Sequence, residues 1–315
     1  MPDVVKGFMV STRNLLIGLA VLVLLIIGTV FWLFGSVGGG ALGTPFGSCV
    51  GEVQLAGEIS FGTESGLFGE GSTTEDTLQN LKEMAADRQV SSILLRVNSP
   101  GGSAAASKEL YEQILEVGRK KPVLAYMEEI GASGGYYAAS AADVIVANPN
   151  ALTGSIGARW TYLNYQGLFE KLGLHEESLK SGELKDIGAG YRNLTDKERQ
   201  VLQDILKDSF DRFVQDVRYA RGNRLNPARF AEVLDGRVLT AQQALAAGLI
   251  DGMGSREQAK RQAAALGNLT VAEGEPVPVC YPPEHFSLRE LFTQLSLGSV
   301  LNQVANRNGW QLDYR

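Results

Sequence analysis

The sequence predicts an α/β domain built on a largely parallel sheet. Short apolar runs of strand length alternate with amphipathic helical stretches, and two of those runs lead into glycine-containing turns with a helix immediately behind. Cys49 to Leu55 (CVGEVQL) places apolar residues at alternate positions and reads as the first strand. The glycine-rich stretch from Phe61 to Thr73 reads as a loop. Ser72-Thr73-Thr74-Glu75 fits a capping box, and helical spacing follows from Asp76 to Arg88. Ile93 to Val97 is a buried strand that enters the turn Asn98-Ser99-Pro100-Gly101-Gly102, with a helix from Ser103 to about Arg119. Pro122 to Met127 is the next strand. It breaks at Gly131, and a helix of small residues begins at Ser133. Asp143 to Ala147 is a further strand. Thr195 to Glu198 forms a capping box for a long helix reaching about Arg221, and Thr240 caps a short helix through Ala247, with Gly248 behind it.

Residues 15–34 (LLIGLAVLVLLIIGTVFWLF) stand apart from this pattern. They carry no charge and no proline, and at ~1.5 Å per residue they span a ~30 Å hydrocarbon core. Lys6 and Arg13 precede the run, and the next basic residue is Lys82, so the tail 1–14 belongs in the cytoplasm and the rest outside it. Small residues after the run leave a cleaved signal peptide as the alternative. The run exceeds the ~7–15 residues of a signal-peptide core, which favours a retained anchor.

Of the 315 residues, 44% are hydrophobic, enough for one large core or two modest ones. The formal net charge of −6 shows no basic face for nucleic acid. Cys49 and Cys280 belong to no CxxC pair, which argues against a zinc site. One disulfide and two free thiols both remain open. The chain has only two histidines, His175 and His285.

Three turns carry polar residues suited to chemistry, and the C-terminal ends of parallel strands are where such turns converge. The glycine pair at 101–102 lets backbone N–H groups face open space, which suits an oxyanion hole with Gly102 as donor. Its plain reading is an ordinary strand-to-helix turn. Gly131-Ala132-Ser133-Gly134-Gly135 presents a serine at a helix start, where it serves either as nucleophile or merely as an N-cap. Lys185, in Ser181-Gly182-Glu183-Leu184-Lys185-Asp186, sits in a turn between an expected strand and the helix at Thr195, and its plain reading is a surface lysine. As a base it must be neutral, so its pKa must fall from ~10.4 towards ~7–8, a shift costing ~4 kcal/mol that only desolvation supplies. A bound substrate or a neighbouring subunit would provide the burial. Ser155, in Thr153-Gly154-Ser155-Ile156-Gly157, is the candidate to orient the lysine; otherwise it is a turn serine.

Together these stretches resemble the signal peptide peptidase A family of Ser/Lys-dyad serine peptidases: LLRVNSPGGS (94–103), GASGGYYAASAADVIVANPNALTGSIG (131–157) and LKSGELKDIGAGYRNLTDKER (179–199). The resemblance implies Ser133 as nucleophile, Lys185 as general base, Ser155 as the residue orienting it, and Gly102 as an oxyanion donor. Gly134 N–H is the second donor by geometry. It also implies a Clp protease/crotonase-like fold with helical additions, no cofactor or metal, and a homo-oligomeric ring acting on hydrophobic signal-peptide remnants in the membrane. The chain then divides into a cytoplasmic tail (1–14), a transmembrane helix (15–34), a linker (35–48), a peptidase domain (49–285) and a C-terminal tail (286–315). The expected location is the cytoplasmic membrane, with the catalytic domain on the extracytoplasmic side. Gly188-Ala189-Gly190 departs from the serine or proline that the family often carries there.

Two rivals remain. Gly131 to Gly135 also fits the G-x-S-x-G nucleophile elbow of a Ser-His-Asp hydrolase, with Asp251 and His285, or Asp143 and His175, as formal partners. That reading leaves the turn around Lys185 without a role. The other rival is a non-catalytic membrane scaffold in which Ser133 is a structural cap.

Overall fold

The computed structural model describes Leu25 and residues 48–61 and 74–283. The chain divides into two units, Met1–Gly47 and Ser48–Arg315, and the architecture below is that of the second. The expected anchor at 15–34, apart from Leu25, the loop at 62–73 and the tail at 286–315 lie outside the described residues. Among the described residues no helix is long and apolar enough to cross a membrane.

The elements follow in chain order: β1 (Cys49–Ile59), α1 (Thr74–Ala86), β2 (Val90–Gly102), α2 (Ala104–Gly118), β3 (Val123–Ala132), α3 (Gly134–Ala139), β4 (Val144–Ala147), β5 (Leu152–Gly154), α4 (Gln166–Leu172), α5 (Asp196–Arg221), α6 (Pro227–Glu232), β6 (Val238–Thr240), α7 (Ala241–Ala247), β7 (Gly252–Met253), α8 (Arg256–Leu266) and β8 (Val279–Cys280). The sheet runs β6-β5-β3-β2-β1-β8, with β4 also on β3 and β7 on β4. Every pairing is parallel except β5 with β6, as the alternation of strands and helices predicts.

The sheet forks at β3. Leu124 to Met127 pair with β4, whereas Ile130 to Ala132 pair with β5. Register shifts lie at the same level on the neighbouring strands, between Val97 and Ser99 against β3 and between Ala56 and Glu58 on β1. Bulged strands bend, so the far ends of β1, β2 and β3 leave the main sheet together. The three ends carry Ile59, Gly101, Gly102 and Ala132, and Ser133 follows directly. The turn expected at 98–102 is therefore still strand: Gly101 and Gly102 pair with Glu58 and Ile59.

Successive residues of β2 feed opposite faces, as a period of two requires. Leu95 and Val97 join a large core with Leu110, Ile114 and Tyr111 of α2 and Phe213 and Val217 of α5. Leu94 faces a smaller core with Val50, Leu124, Tyr126 and Val146, covered by Ala259, Ala263 and Ala264 of α8. Each fully buried Leu or Ile contributes roughly 1.5–3 kcal/mol. Cys49 and Cys280 form a disulfide with their Cα atoms 5.8 Å apart, joining the start of β1 to β8 and settling the open cysteine question.

Candidate active site

Ser133 sits between β3 and α3 with φ 53° and ψ −121°. Side chains avoid that region, and a residue held there costs about 1–3 kcal/mol. The surrounding bonds over-determine it: Ser133 N–H donates to Gly154 O at 2.8 Å, and its carbonyl accepts from Tyr137 N–H at 2.8 Å. Its side chain makes no cap bond to α3, so the N-cap reading fails, and among the described residues the hydroxyl has no hydrogen-bond partner. The glycines behind it are demanded by packing. A Cβ on Gly134 would lie 2.2 Å from Ser107 Oγ, and one on Gly135 would lie 2.6 Å from Ser99 O.

The 98–102 segment is pressed against this turn. Ser99, fully buried, donates its hydroxyl to Gly57 O at 2.6 Å and accepts from Gly101 N–H at 3.1 Å. Gly101 (φ 97°) meets Ser133 directly: a Cβ there would be 2.8 Å from Ser133 Cβ and 2.5 Å from Gly134 N. Gly102 backs onto Ile59, whose carbonyl oxygen would be 2.1 Å from an added Cβ, and the residue is exposed. The sequence reading singled out Gly102 and passed over Gly101, although the same glycine pair signals both. Gly134 N–H, at the first helical position, has no intrahelical acceptor.

Ser155 follows Gly154, the residue whose carbonyl holds Ser133 N–H, so the two serine turns are adjacent. It also has φ 53°, and its N–H donates to Arg237 O at 2.8 Å. Among the described residues only Ser133, Ser155 and Asn268 combine a side chain with positive φ, so two of three strained positions adjoin this site.

Lys185 is placed differently. It is exposed, and among the described residues no hydrogen bond joins it to Ser133 or Ser155. The strand expected ahead of it is absent. Instead α4, which buries no residue, and an irregular stretch lead into consecutive turns, with Lys185 N–H on Gly182 O at 3.1 Å. Exposed Trp160, Leu163, Leu168, Leu172, Leu174 and Leu179 line this segment, too few of them buried to produce a readable hydrophobic period. Gly190 passes so close to 163–165 that a Cβ would fall 2.2 Å from Leu163 O, which explains the glycine where the family often has a larger residue.

Asp186, next to Lys185, is tied to Arg192, and Arg192 to the buried Glu198 in the first turn of α5. Further along α5, Asp216 accepts from the Tyr137 hydroxyl, one turn beyond Ser133, and pairs with Lys108 at 2.7 Å. Glu198 and Asp216 are separated by about 27 Å of helix at ~1.5 Å per residue. Burial and then Asp216 push the Tyr137 phenol far above its ordinary pKa, so it is a fixed donor and not a base.

The histidine rival loses its parts. Asp251 takes two bonds from the fully buried Arg221 guanidinium, at 2.9 and 2.7 Å, and one from Ile145 N–H at 2.7 Å. Asp143 accepts from Val123 N–H at 2.8 Å. Both carboxylates are structural ties, His175 is exposed, and His285 lies outside the described residues.

A strained serine with a free hydroxyl, set against a glycine strand end on a forked parallel sheet, defines a serine peptidase on a Clp protease/crotonase-like frame. The model of peptidase family S49 matches residues 116–270, a span that includes Ser133, Ser155 and Lys185. A putative protease of Methanocaldococcus jannaschii is 33% identical over 262 residues, 82% of this chain and 84% of that protein. A putative signal peptide peptidase of Enterococcus faecium is 35% identical over 66% of this chain and 60% of its own length. Protease 4 of Haemophilus influenzae is 33% identical over 60% of this chain and 30% of its own length. The chain belongs to peptidase family S49, the signal peptide peptidase A family.

Proposed function

We propose that the protein is a membrane-anchored endopeptidase that hydrolyses hydrophobic peptides such as released signal peptides, with Ser133 as nucleophile and Lys185 as general base. The observation that carries this is the uncommitted Ser133 hydroxyl, held at positive φ against Gly101. Neutral Lys185 takes the Ser133 proton, the alkoxide attacks the peptide carbonyl, and Gly102 and Gly134 N–H receive the oxyanion. Lys185 then protonates the leaving amine, and water hydrolyses the acyl-enzyme. Ser155 orients the lysine.

A lysine serves as a base only where burial removes its hydration, and Lys185 is exposed. In this reading Lys185 of one copy docks at Ser133 of its neighbour, and the interface supplies the desolvation. The exposed apolar side chains around Lys185 and the length of α5 between its two tethers support this, and a homo-oligomeric ring follows from it. The apolar run at 15–34 anchors the chain in the cytoplasmic membrane, with the peptidase domain outside. The Cys49–Cys280 disulfide suits that oxidising side.

The test uses the full chain in detergent with a hydrophobic leader peptide. Ser133→Ala and Lys185→Ala should each be inactive, and a mixture unfolded and refolded together should regain cleavage. Retained activity in Ser133→Ala eliminates the nucleophile, and retained activity in Lys185→Ala eliminates the dyad. Two inactive variants that stay inactive when mixed would eliminate sharing between copies. Wild-type activity should rise with pH as the lysine deprotonates.

A further inference from the structure

The residue after Lys185 is a carboxylate, and this is a problem for a base. An unoccupied Asp186 beside the ammonium would hold it protonated. The structure shows that carboxylate fully engaged elsewhere. Asp186 Oδ1 accepts from Lys180 Nζ at 2.6 Å and Arg192 Nη2 at 2.7 Å. Its Oδ2 accepts from the Tyr191 hydroxyl at 2.5 Å and Arg192 Nε at 3.3 Å. Four donors fill the roughly four lone-pair positions that a carboxylate offers.

The other charges nearby are also committed. Arg192 Nη1 reaches Glu198 Oε2 at 2.8 Å, and Glu198 Oε2 in turn accepts Thr195 N–H at 2.8 Å. Glu183 pairs with Lys197 at 2.5 Å. Lys180, Asp186, Tyr191, Arg192 and Glu198 therefore bond among themselves, Glu183 is taken by Lys197, and among the described residues Lys185 belongs to neither group. The same network fixes the loop in space. Asp186 hangs from Arg192, Arg192 from Glu198, and Glu198 from the capped first turn of α5. Tyr165 N–H on Gly190 O at 2.8 Å clips the far side of the loop.

We infer that Asp186 is a positioning residue for Lys185: it anchors the base loop to α5, while Lys180, Tyr191 and Arg192 saturate its carboxylate and leave Lys185 without a counter-charge. This rests on Lys185 being the base. The arrangement leaves desolvation at the site, and not a neighbouring carboxylate, to decide the charge of the lysine. Asp186 touches neither substrate nor Ser133; it acts through its neighbour.

The experiment is the pH profile of kcat/KM for the full-length oligomer on a hydrophobic leader peptide. Arg192→Gln frees half of Asp186 for Lys185, so the acid limb should move up by about one pH unit, roughly a tenfold loss below the limb. Lys180→Gln removes a single contact of a surface residue and should shift the limb the same way by less. Asp186→Asn should move it down while lowering kcat, because Lys180 and Arg192 lose their anion beside Lys185 and the loop loses its anchor. A purely structural role gives no such opposed shifts. Folded variants that all keep the wild-type limb, alongside an inactive Lys185→Ala, overturn the inference and leave the base assignment standing. Full activity in Lys185→Ala removes the base assignment itself, and this inference with it.

Discussion

Gly101 packs against the Ser133 turn so closely that a single methyl on Gly101 would sit 2.8 Å from Ser133 Cβ and 2.5 Å from Gly134 N. The contact joins two strand ends that leave the main sheet at the fork. It also sets the spacing between the proposed nucleophile turn and the N–H groups proposed for the oxyanion. Gly101 has φ 97°, so a side chain there meets both a collision and a disfavoured backbone.

Gly101→Ala should therefore lower kcat by about two orders of magnitude, the loss typical of a displaced oxyanion donor. Thermal unfolding should show a folded protein with a modestly reduced Tm. Wild-type kcat in this variant would mean that the 101–102 strand end does not hold the reacting groups.

Ser99 supports the same strand end from beneath through Gly57 O and Gly101 N–H. Ser99→Ala leaves the buried Gly101 N–H without its partner, worth about 1–3 kcal/mol, and releases the exposed Gly57 carbonyl to solvent. Activity should fall without a change in the pH of the acid limb, since no charge near Lys185 is altered. A shifted limb would contradict this division between the proposed oxyanion loop and the proposed base loop.

Arg221 closes the far end of α5. Its side chain is fully buried and bonds Asp251 and Gly248 O, tying α5 to β4 through Ile145 N–H. Arg221→Ala strands the Asp251 carboxylate and should cost about 3–5 kcal/mol in urea unfolding. Arg221→Ala with Asp251→Ala should cost less than Arg221→Ala alone. Equal losses would show that the pair is not coupled.

The disulfide between Cys49 and Cys280 closes a loop spanning 231 residues of sequence. Chain-entropy reasoning gives about 5 kcal/mol as an upper figure for such a loop, and about 2–5 kcal/mol is typical for native bridges. Reduction, or the paired Cys49→Ser and Cys280→Ser replacement, should lower stability within that range. It should leave kcat near wild type, because the bridge sits at the opposite end of β1 from Ile59. Loss of activity at unchanged stability would refute that separation.

How much of this was legible in the sequence depended on how strongly each element was patterned. The cores of β1 to β4 were readable because Val, Ile and Leu recur at strand period, and α2, α5 and α7 because Ser103, Thr195 and Thr240 cap them. The helix α8 escaped notice, although Ser255 and Gln258 form a capping box, because it buries alanines and no large residue. Strands β5 to β8 are two or three residues long, too short for a period. At the site, Ser133, Ser155 and the glycines were visible as turn chemistry. The contact made by Gly101 was not, because it depends on a bulge-driven bend that no local pattern encodes. The isolation of Lys185 was equally hidden, since nothing in SGELKD says which donors reach Asp186.

The last prediction concerns acid. Arg192 and the Thr195 backbone hold Glu198 down to about 2, from an ordinary value of 4.5. Arg192, Lys180 and Tyr191 hold Asp186 well below its ordinary 3.8. Both folded-state values are depressed, so the unfolded chain binds these protons first and stability rises with pH across the gap. The contribution is fully present above about pH 4.5 and is lost as pH falls towards about 2. Unfolding midpoints measured between pH 6 and pH 2 should therefore drop in that window. Glu198→Gln should be less stable at neutral pH, with a shallower decline below it, because one of the two linked groups no longer titrates. A Glu198→Gln profile as steep as that of the wild type would show that the acid sensitivity lies elsewhere in the domain.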